Sequence, residues 1–233
     1  MDFDRLVHET WPAYEQQPHD GWVFRHAGGV TKRANSVLAT RPPADLDGAI
    51  RAAEAFYGAR GQRCVFSVGT SAPAGLDEEL ERRGYDLVDP TLVMTGRPKG
   101  EPAPGVRIAE GPWEEWLEAW WAVDGRYGTG LEEAARICAG VPAWYAAYEE
   151  DGAVLAVGRG VPQGDTLGIY CMATLPQARR RGLARVVLRA LVERAGEAIT
   201  SAYLVVTAGN VAAQALYRGE GFEVAGRYHY RVR

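Results

Sequence analysis

Four arginines surround one glycine in Arg179-Arg-Arg-Gly-Leu-Ala-Arg185. The apolar run Leu167 to Met172 precedes them and reads as a buried strand. After them Leu183, Val187, Leu191 and Ala195 recur every four residues, the stripe of an amphipathic helix. Pro176 ends the strand, and the small residues Gly182 and Ala184 open the helix. A helix opened this way leaves its first backbone N–H groups unpaired, and the positive end of its dipole adds to the arginine charge. The chemistry of such a turn is the holding of a phosphate group, which Gly182 allows to reach the backbone. On this stretch alone, a basic strand-to-helix connection without a ligand is an equal reading.

A second segment shifts the balance. Asn210-Val-Ala-Ala-Gln-Ala-Leu-Tyr-Arg-Gly-Glu-Gly-Phe222 matches N-x-x-A-x-x-L-Y-x-x-x-G-F, and it follows R-x-x-G-x-A at Arg179 to Ala184. The two in this order, each on its own helix, resemble the GNAT superfamily, the Gcn5-related N-acetyltransferases. The resemblance covers residues 106–233. It implies acetyl-CoA as cosubstrate, with the pyrophosphate on the turn formed by Arg179, Arg180, Arg181, Gly182, Leu183, Ala184 and Arg185. It also implies that the pantetheine arm pairs, like an added strand, with Met172-Ala-Thr174, where the strand splays from its neighbour. Asn210 resembles the residue that bonds the arm from the other side, a role compatible with a helix N-cap.

Tyr217 stands where the family places its general acid. A phenol with an ordinary pKa near 10 can protonate the thiolate that leaves when an amine attacks the thioester; a Tyr packed in the core is the structural alternative. A backbone N–H between Met172 and Thr174 would receive the oxyanion. The strand Thr166 to Met172 carries no carboxylate, so the general base stays open between Tyr170 acting through water and Asp124, Glu132 or Glu133. Cys171 is read as a buried apolar thiol in preference to an acyl acceptor.

These residues need a scaffold, and the 233-residue chain is long enough for one large domain or two small ones. The net charge is −4, with no basic tail, which argues against nucleic acid as a partner. Cys64, Cys138 and Cys171 are widely spaced, and His8, His19, His26 and His229 form no pair at helical spacing. Neither a disulfide framework nor a metal site is suggested. No apolar run reaches membrane-spanning length, and Met1-Asp-Phe-Asp-Arg5 lacks a signal pattern, so a cytoplasmic protein without a membrane partner is expected.

In chain order, strands are expected at 23–27 and 36–39, with Gly28-Gly29 as a turn. A helix over 46–59 follows, N-capped by Asp45 or Asp47. A strand at 63–68, a helix at 74–83 stopped by Gly84, and a strand at 85–95 complete the first half. Residues 98–105 are the linker, rich in Pro and Gly. The second half has a strand at 106–108 and helices at 111–123 and 131–138. A hairpin turns at Asp151-Gly152. Beyond the central strand and helix lie a strand at 202–207, a helix at 211–219 and a terminal strand pair within 222–232.

Cys64 to Tyr85 aligns without gaps against Ser201 to Phe222, Gly84 and Tyr85 falling on Gly221 and Phe222. The fold expected is therefore α/β: tandem GNAT-like mixed sheets flanked by helices, with only the second copy complete. Residues 1–97 would be a degenerate copy, with Leu80 and Pro73 where Tyr217 and Asn210 stand, and residues 106–233 the catalytic domain. The acceptor is an unidentified amine, its pocket lined by residues 113–145 with their tryptophans. At least two of Trp113, Trp116 and Trp120 are expected in the core. Thr31 to Ser36 resembles a segment of two-domain members that reaches the acceptor, although a hairpin with polar caps explains it equally. The protein would be a monomer or homodimer, and a non-catalytic acyl-CoA-binding module is the alternative function.

Overall fold

A computed structural model describes residues 1–125 and 130–233. The chain divides into two compact units, Met1–Leu92 with Gly226–Arg233, and Val93–Ala225. The expected halves, 1–97 and 106–233, thus differ from the packing at two places: residues 93–105 belong to the second unit, and the last eight residues to the first.

The first unit opens with helix α1 (Phe3–Thr10), whose Asp2 cap accepts from Arg5 N at 3.1 Å and whose Phe3, Leu6, Val7 and Thr10 are buried. Strands β1 (Glu15–His19), β2 (Trp22–His26) and β3 (Val37–Ala39) follow in antiparallel succession. Helix α2 (Leu46–Gly58), capped by Asp45, is the crossover that makes β4 (Val65–Val68) parallel to β3. Helix α3 (Leu76–Arg82) ends at Gly84, whose φ of +81° supplies the left-handed stop, and β5 (Asp86–Gly96) runs on into the second unit. Trp22, Phe24, Ile50, Tyr57, Phe66 and Leu80 fill the core of the first unit.

The second unit continues with β6 (Val106–Ala109), α4 (Glu114–Asp124), α5 (Leu131–Ala139), β7 (Trp144–Glu150), β8 (Ala153–Gln163) and β9 (Thr166–Thr174). Strands β6 to β9 pair antiparallel in sequence order. Asp151 and Gly152, with φ of +50° and +78°, make the β7–β8 turn. Helix α6 (Leu183–Ala195) then crosses back so that β10 (Ser201–Thr207) pairs parallel with β9. Helix α7 (Val211–Gly219) and β11 (Phe222–Val232) close the chain, and the end of β11 pairs antiparallel with β4 in the first unit.

One expectation is corrected here. The terminal strand pair is one continuous strand, β11, because Ala225-Gly226 stays extended instead of turning. The linker 98–105 has no helix or strand, yet it is no free tether. Glu101 N donates to Arg189 O at 3.3 Å, Glu149 N donates to Gly105 O at 2.8 Å, and a Cβ at Gly100 would strike the Glu193 backbone at 2.7 Å. Helix α1 and the polar edge strand β1 were not anticipated at all.

Candidate functional site

The site begins at an irregularity in β9. Arg159 on β8 pairs with Tyr170, and Val157 pairs with Ala173, so Gly158 alone faces both Cys171 and Met172. This is a β-bulge, and Cys171 takes the left-handed φ of +51° that it requires. A Cβ at Gly158 would meet Met172 Sδ at 2.6 Å and Val187 Cγ1 at 2.9 Å, so the bulge closes against α6 only because residue 158 has no side chain. On the other edge, pairing with β10 ends at Ile169–Leu204. From there Met172 to Thr174 has β8 on one side and an open edge on the other, the splay that the family resemblance implied.

The open edge leads into a cleft of about 580 Å³. Met172, Ala173 and Thr174 form one wall, and Asn210 and Tyr217 line it too. The turn into α6 lines it with Arg179, Arg180, Gly182, Leu183, Ala184 and Arg185. Arg180 and Gly182 have φ of +64° and +80°, and Gly182 as N-cap offers α6 no side-chain acceptor. A helix start of this kind can present its first N–H groups to an anion, although that of Arg185 already donates to Gly182 O at 3.0 Å. A Cβ at Gly182 would meet nothing within 4 Å, so this glycine is required by its backbone angle and not by crowding.

The structure brings together every expected site residue but one. Arg181 turns away to Glu150 on β7, with Nη2 at 2.7 and 2.9 Å from the two carboxylate oxygens, and does not line the cleft. Arg185 lines the cleft while Glu220 holds its Nε at 2.6 Å. Asn210 is the N-cap of α7, its Oδ1 accepting from Ala213 N at 3.1 Å, which leaves the amide nitrogen to donate to a ligand. Tyr217 is 8% exposed, edge-on to Phe222 at 6.1 Å. Burial is what perturbs its hydroxyl, pushing it up to about 12.

The candidates for general base separate. Tyr170 is buried and donates to Tyr203 at 2.7 Å, and Tyr203 donates to Gln163 at 2.7 Å, so its hydroxyl is committed inside the fold. No carboxylate is among the described residues lining the cleft. Asp124 ends α4 beside Val123, which lines the cleft, and its charge is among those raising the Cys171 thiol. Burial is the main cause of that rise, followed by the Cys138 thiol next to it. Cys171 thus stays protonated and is a poor nucleophile.

Of the segment 113–145, residues 126–129 lie outside the described residues, and Val123 is the described residue that lines the cleft. Trp116 and Trp120 are core residues, 0% and 3% exposed, and Trp116 Nε1 donates to Ala146 O at 3.0 Å. An aromatic acceptor wall built on them is therefore excluded. In the first unit, Asn35 organises the turn at Thr31 to Ser36. Its Oδ1 accepts from Ala27 N at 2.7 Å and Gly29 N at 2.9 Å, and its Nδ2 donates to Val30 O at 2.7 Å. Asn35 thus serves the hairpin itself, whereas Lys32 pairs with Asp89 at 2.9 Å and Arg33 lies over the Trp11 ring. The bulge and Gly158 were missed by sequence reasoning, and their only trace was a glycine within an apolar strand.

Comparison with known proteins bears on the family and the fold. The family model described as "Probable histone acetyltransferase Rv0428c C-terminal" matches residues 4–231. The chain is 27% identical over 241 residues to the "Uncharacterized N-acetyltransferase YobR" of Bacillus subtilis (strain 168), covering 99% of this chain and 97% of that protein. Its fold is similar to that of a GCN5-related N-acetyltransferase from Kribbella flavida, with a TM-score of 0.71 at 19% identity over 98% of this chain and 94% of that one. It is also similar to a tandem GNAT protein from the clavulanic acid biosynthesis pathway, with a TM-score of 0.57 at 15% identity over 80% and 69% of the two chains.

Proposed function

As the chain belongs to the acetyltransferase family of the Rv0428c C-terminal model, within the Gcn5-related N-acetyltransferases, we propose that it transfers acetyl from acetyl-CoA to a primary amine of a small molecule or peptide. Direct attack within a ternary complex is the mechanism that fits. The observation that carries this reading is the convergence of an open strand edge, an uncapped helix N-terminus, Asn210 and Tyr217 on one cleft.

The pyrophosphate would sit against the N–H groups of Leu183 and Ala184, with Arg179, Arg180 and Arg185 as counter-charges. The pantetheine amides would pair with Met172 to Thr174 on one side and meet Asn210 on the other. The amine lone pair attacks the thioester carbon, and the oxyanion is received by a backbone N–H of the same stretch. The C–S bond then breaks, the thiolate takes the Tyr217 proton, and the new ammonium loses a proton to a base. Asp124, whose neighbour Val123 lines the cleft, is the carboxylate we assign to that base. A purely acyl-CoA-binding module would have no use for a buried hydroxyl lining the cleft at Tyr217.

The first unit is read as a degenerate copy of the second. Both run strand, helix and left-handed glycine in the aligned stretch: β4, α3 and Gly84 against β10, α7 and Gly221, whose φ is +83°. Leu80 and Pro73 replace Tyr217 and Asn210 there, so only the second unit would bind acetyl-CoA. The test is thiol release from acetyl-CoA by the purified protein across a panel of amino acids, polyamines, aminoglycosides and peptides. Amine-dependent release with a matching acetylated product supports the reading. Release without any acetylated amine would overturn it.

A further inference from the structure

A second groove has a volume of about 290 Å³. Arg185 lines both it and the cleft, so the two adjoin at that side chain. Pro102, Pro104 and Tyr148 give the groove flat apolar walls, and Arg185 and Arg189 give it charge. Behind these arginines stands Glu220, its side chain 3% exposed, with Oε1 2.6 Å from Arg185 Nε and Oε2 2.8 Å from Arg189 Nε. One buried carboxylate balances only one of the two cations.

The remaining charge is met by Glu101, whose carboxylate lies 2.6 Å from Arg189 Nη1. Glu101 is a different kind of partner from Glu220. Its side chain is 62% exposed, and it sits on the docked segment before β6, in neither helix nor strand. An exposed pair of this kind is worth little, so Glu101 can swing into water at small cost. Arg189 also lies seven residues beyond Gly182 on α6, about 10 Å along the axis. That is within reach of a nucleoside whose pyrophosphate rests on the turn.

We propose that this groove takes the nucleotide end of acetyl-CoA, with the base against the prolines and Tyr148, and the ribose 3′-phosphate displacing Glu101 from Arg189. The proposal rests on the reading of the cleft as the acetyl-CoA site. Glu101 then acts as a built-in competitor of the phosphate. Removing its charge strengthens the cofactor, and removing Arg189 makes the protein blind to the phosphate.

Titration calorimetry with acetyl-CoA and acetyl-dephospho-CoA, on wild type, Glu101→Gln and Arg189→Ala, tests this. In wild type acetyl-CoA binds about 10-fold tighter than the dephospho form, as the loss of one charged pair predicts. Glu101→Gln widens that ratio by tightening acetyl-CoA alone, and Arg189→Ala brings it close to one. If Arg189→Ala does not fold, Glu101→Gln decides by itself. Equal affinities in wild type, or a ratio that neither substitution moves, overturn the groove while leaving the cleft intact. Failure of wild type to bind either ligand overturns the cleft reading and this proposal with it.

Discussion

Tyr217→Phe removes one oxygen atom from the protein and, if the acid role is right, most of its turnover. The ring keeps its contact with Phe222, and no described residue bonds the hydroxyl, so stability should stay within about 1 kcal/mol of wild type. A positioned general acid contributes about 10²–10⁴-fold. The phenol is pushed up to about 12, which makes it a more reluctant donor to a thiolate and favours the lower part of that range. A fall in kcat of about 10²–10³-fold is expected, equivalent to roughly 3–4 kcal/mol in the barrier. The Kd for acetyl-CoA, measured by calorimetry, should change by no more than about threefold, since the hydroxyl meets the sulfur only as the bond breaks. The acid must be protonated to act, and its raised pKa delays ionisation, so wild-type kcat should show no alkaline decline up to about pH 10. Retained kcat in Tyr217→Phe, or a loss confined to KM, would refute the role.

Gly182→Glu places a carboxylate at the N-terminal end of α6, where the pyrophosphate is proposed to sit. The position has open space, so the structural cost is that of a left-handed non-glycine residue, about 1–2 kcal/mol, seen as a Tm several degrees lower. Acetyl-CoA affinity should fall by at least about 100-fold, the combined loss of backbone donors and added repulsion; unchanged affinity removes the phosphate-turn assignment. Cys171→Ala should keep most of the turnover, because a thiol raised by burial is not the nucleophile. An acetylated Cys171 in the mass of wild-type protein quenched during turnover would contradict direct transfer. His8 in the first unit is held down at about 4, mainly by burial and then by the Arg25 guanidinium. The unfolded chain therefore binds a proton below about pH 6.5 that the folded one refuses, and stability falls as pH drops from 6.5 towards 4. His8→Gln should remove roughly 2 kcal/mol of that fall, allowing for partial solvent screening, and a parallel Tm–pH curve for the variant would contradict it.

Most of the elements were legible because their ends carry chemistry. Gly84, Gly182 and Gly221 mark helix boundaries with left-handed backbone, and Asp45 and Asn210 cap the helices they precede. What stayed hidden depends on tertiary partners. The direction of Arg181 is set by Glu150 on a neighbouring hairpin, 31 residues away. The continuity of β11 is favoured by pairing with β4, since Ala225-Gly226 by itself resembles a turn. Strand β1 is polar and contains Pro18, an edge strand without an apolar period. Helix α1 was readable, for Phe3, Leu6, Val7 and Thr10 are spaced as a helical face behind Asp2. The bulge at Cys171 leaves no pattern in the strand itself, because both neighbours of the irregularity are apolar.

The most direct test of the account is calorimetric titration of the purified protein with acetyl-CoA, with ATP as the control for nonspecific polyphosphate binding. The account predicts saturable binding of one acetyl-CoA per chain in the micromolar range and much weaker binding of ATP, which lacks the amide arm that Met172 to Thr174 and Asn210 would hold. Absence of acetyl-CoA binding, or equal affinity for ATP, would contradict it.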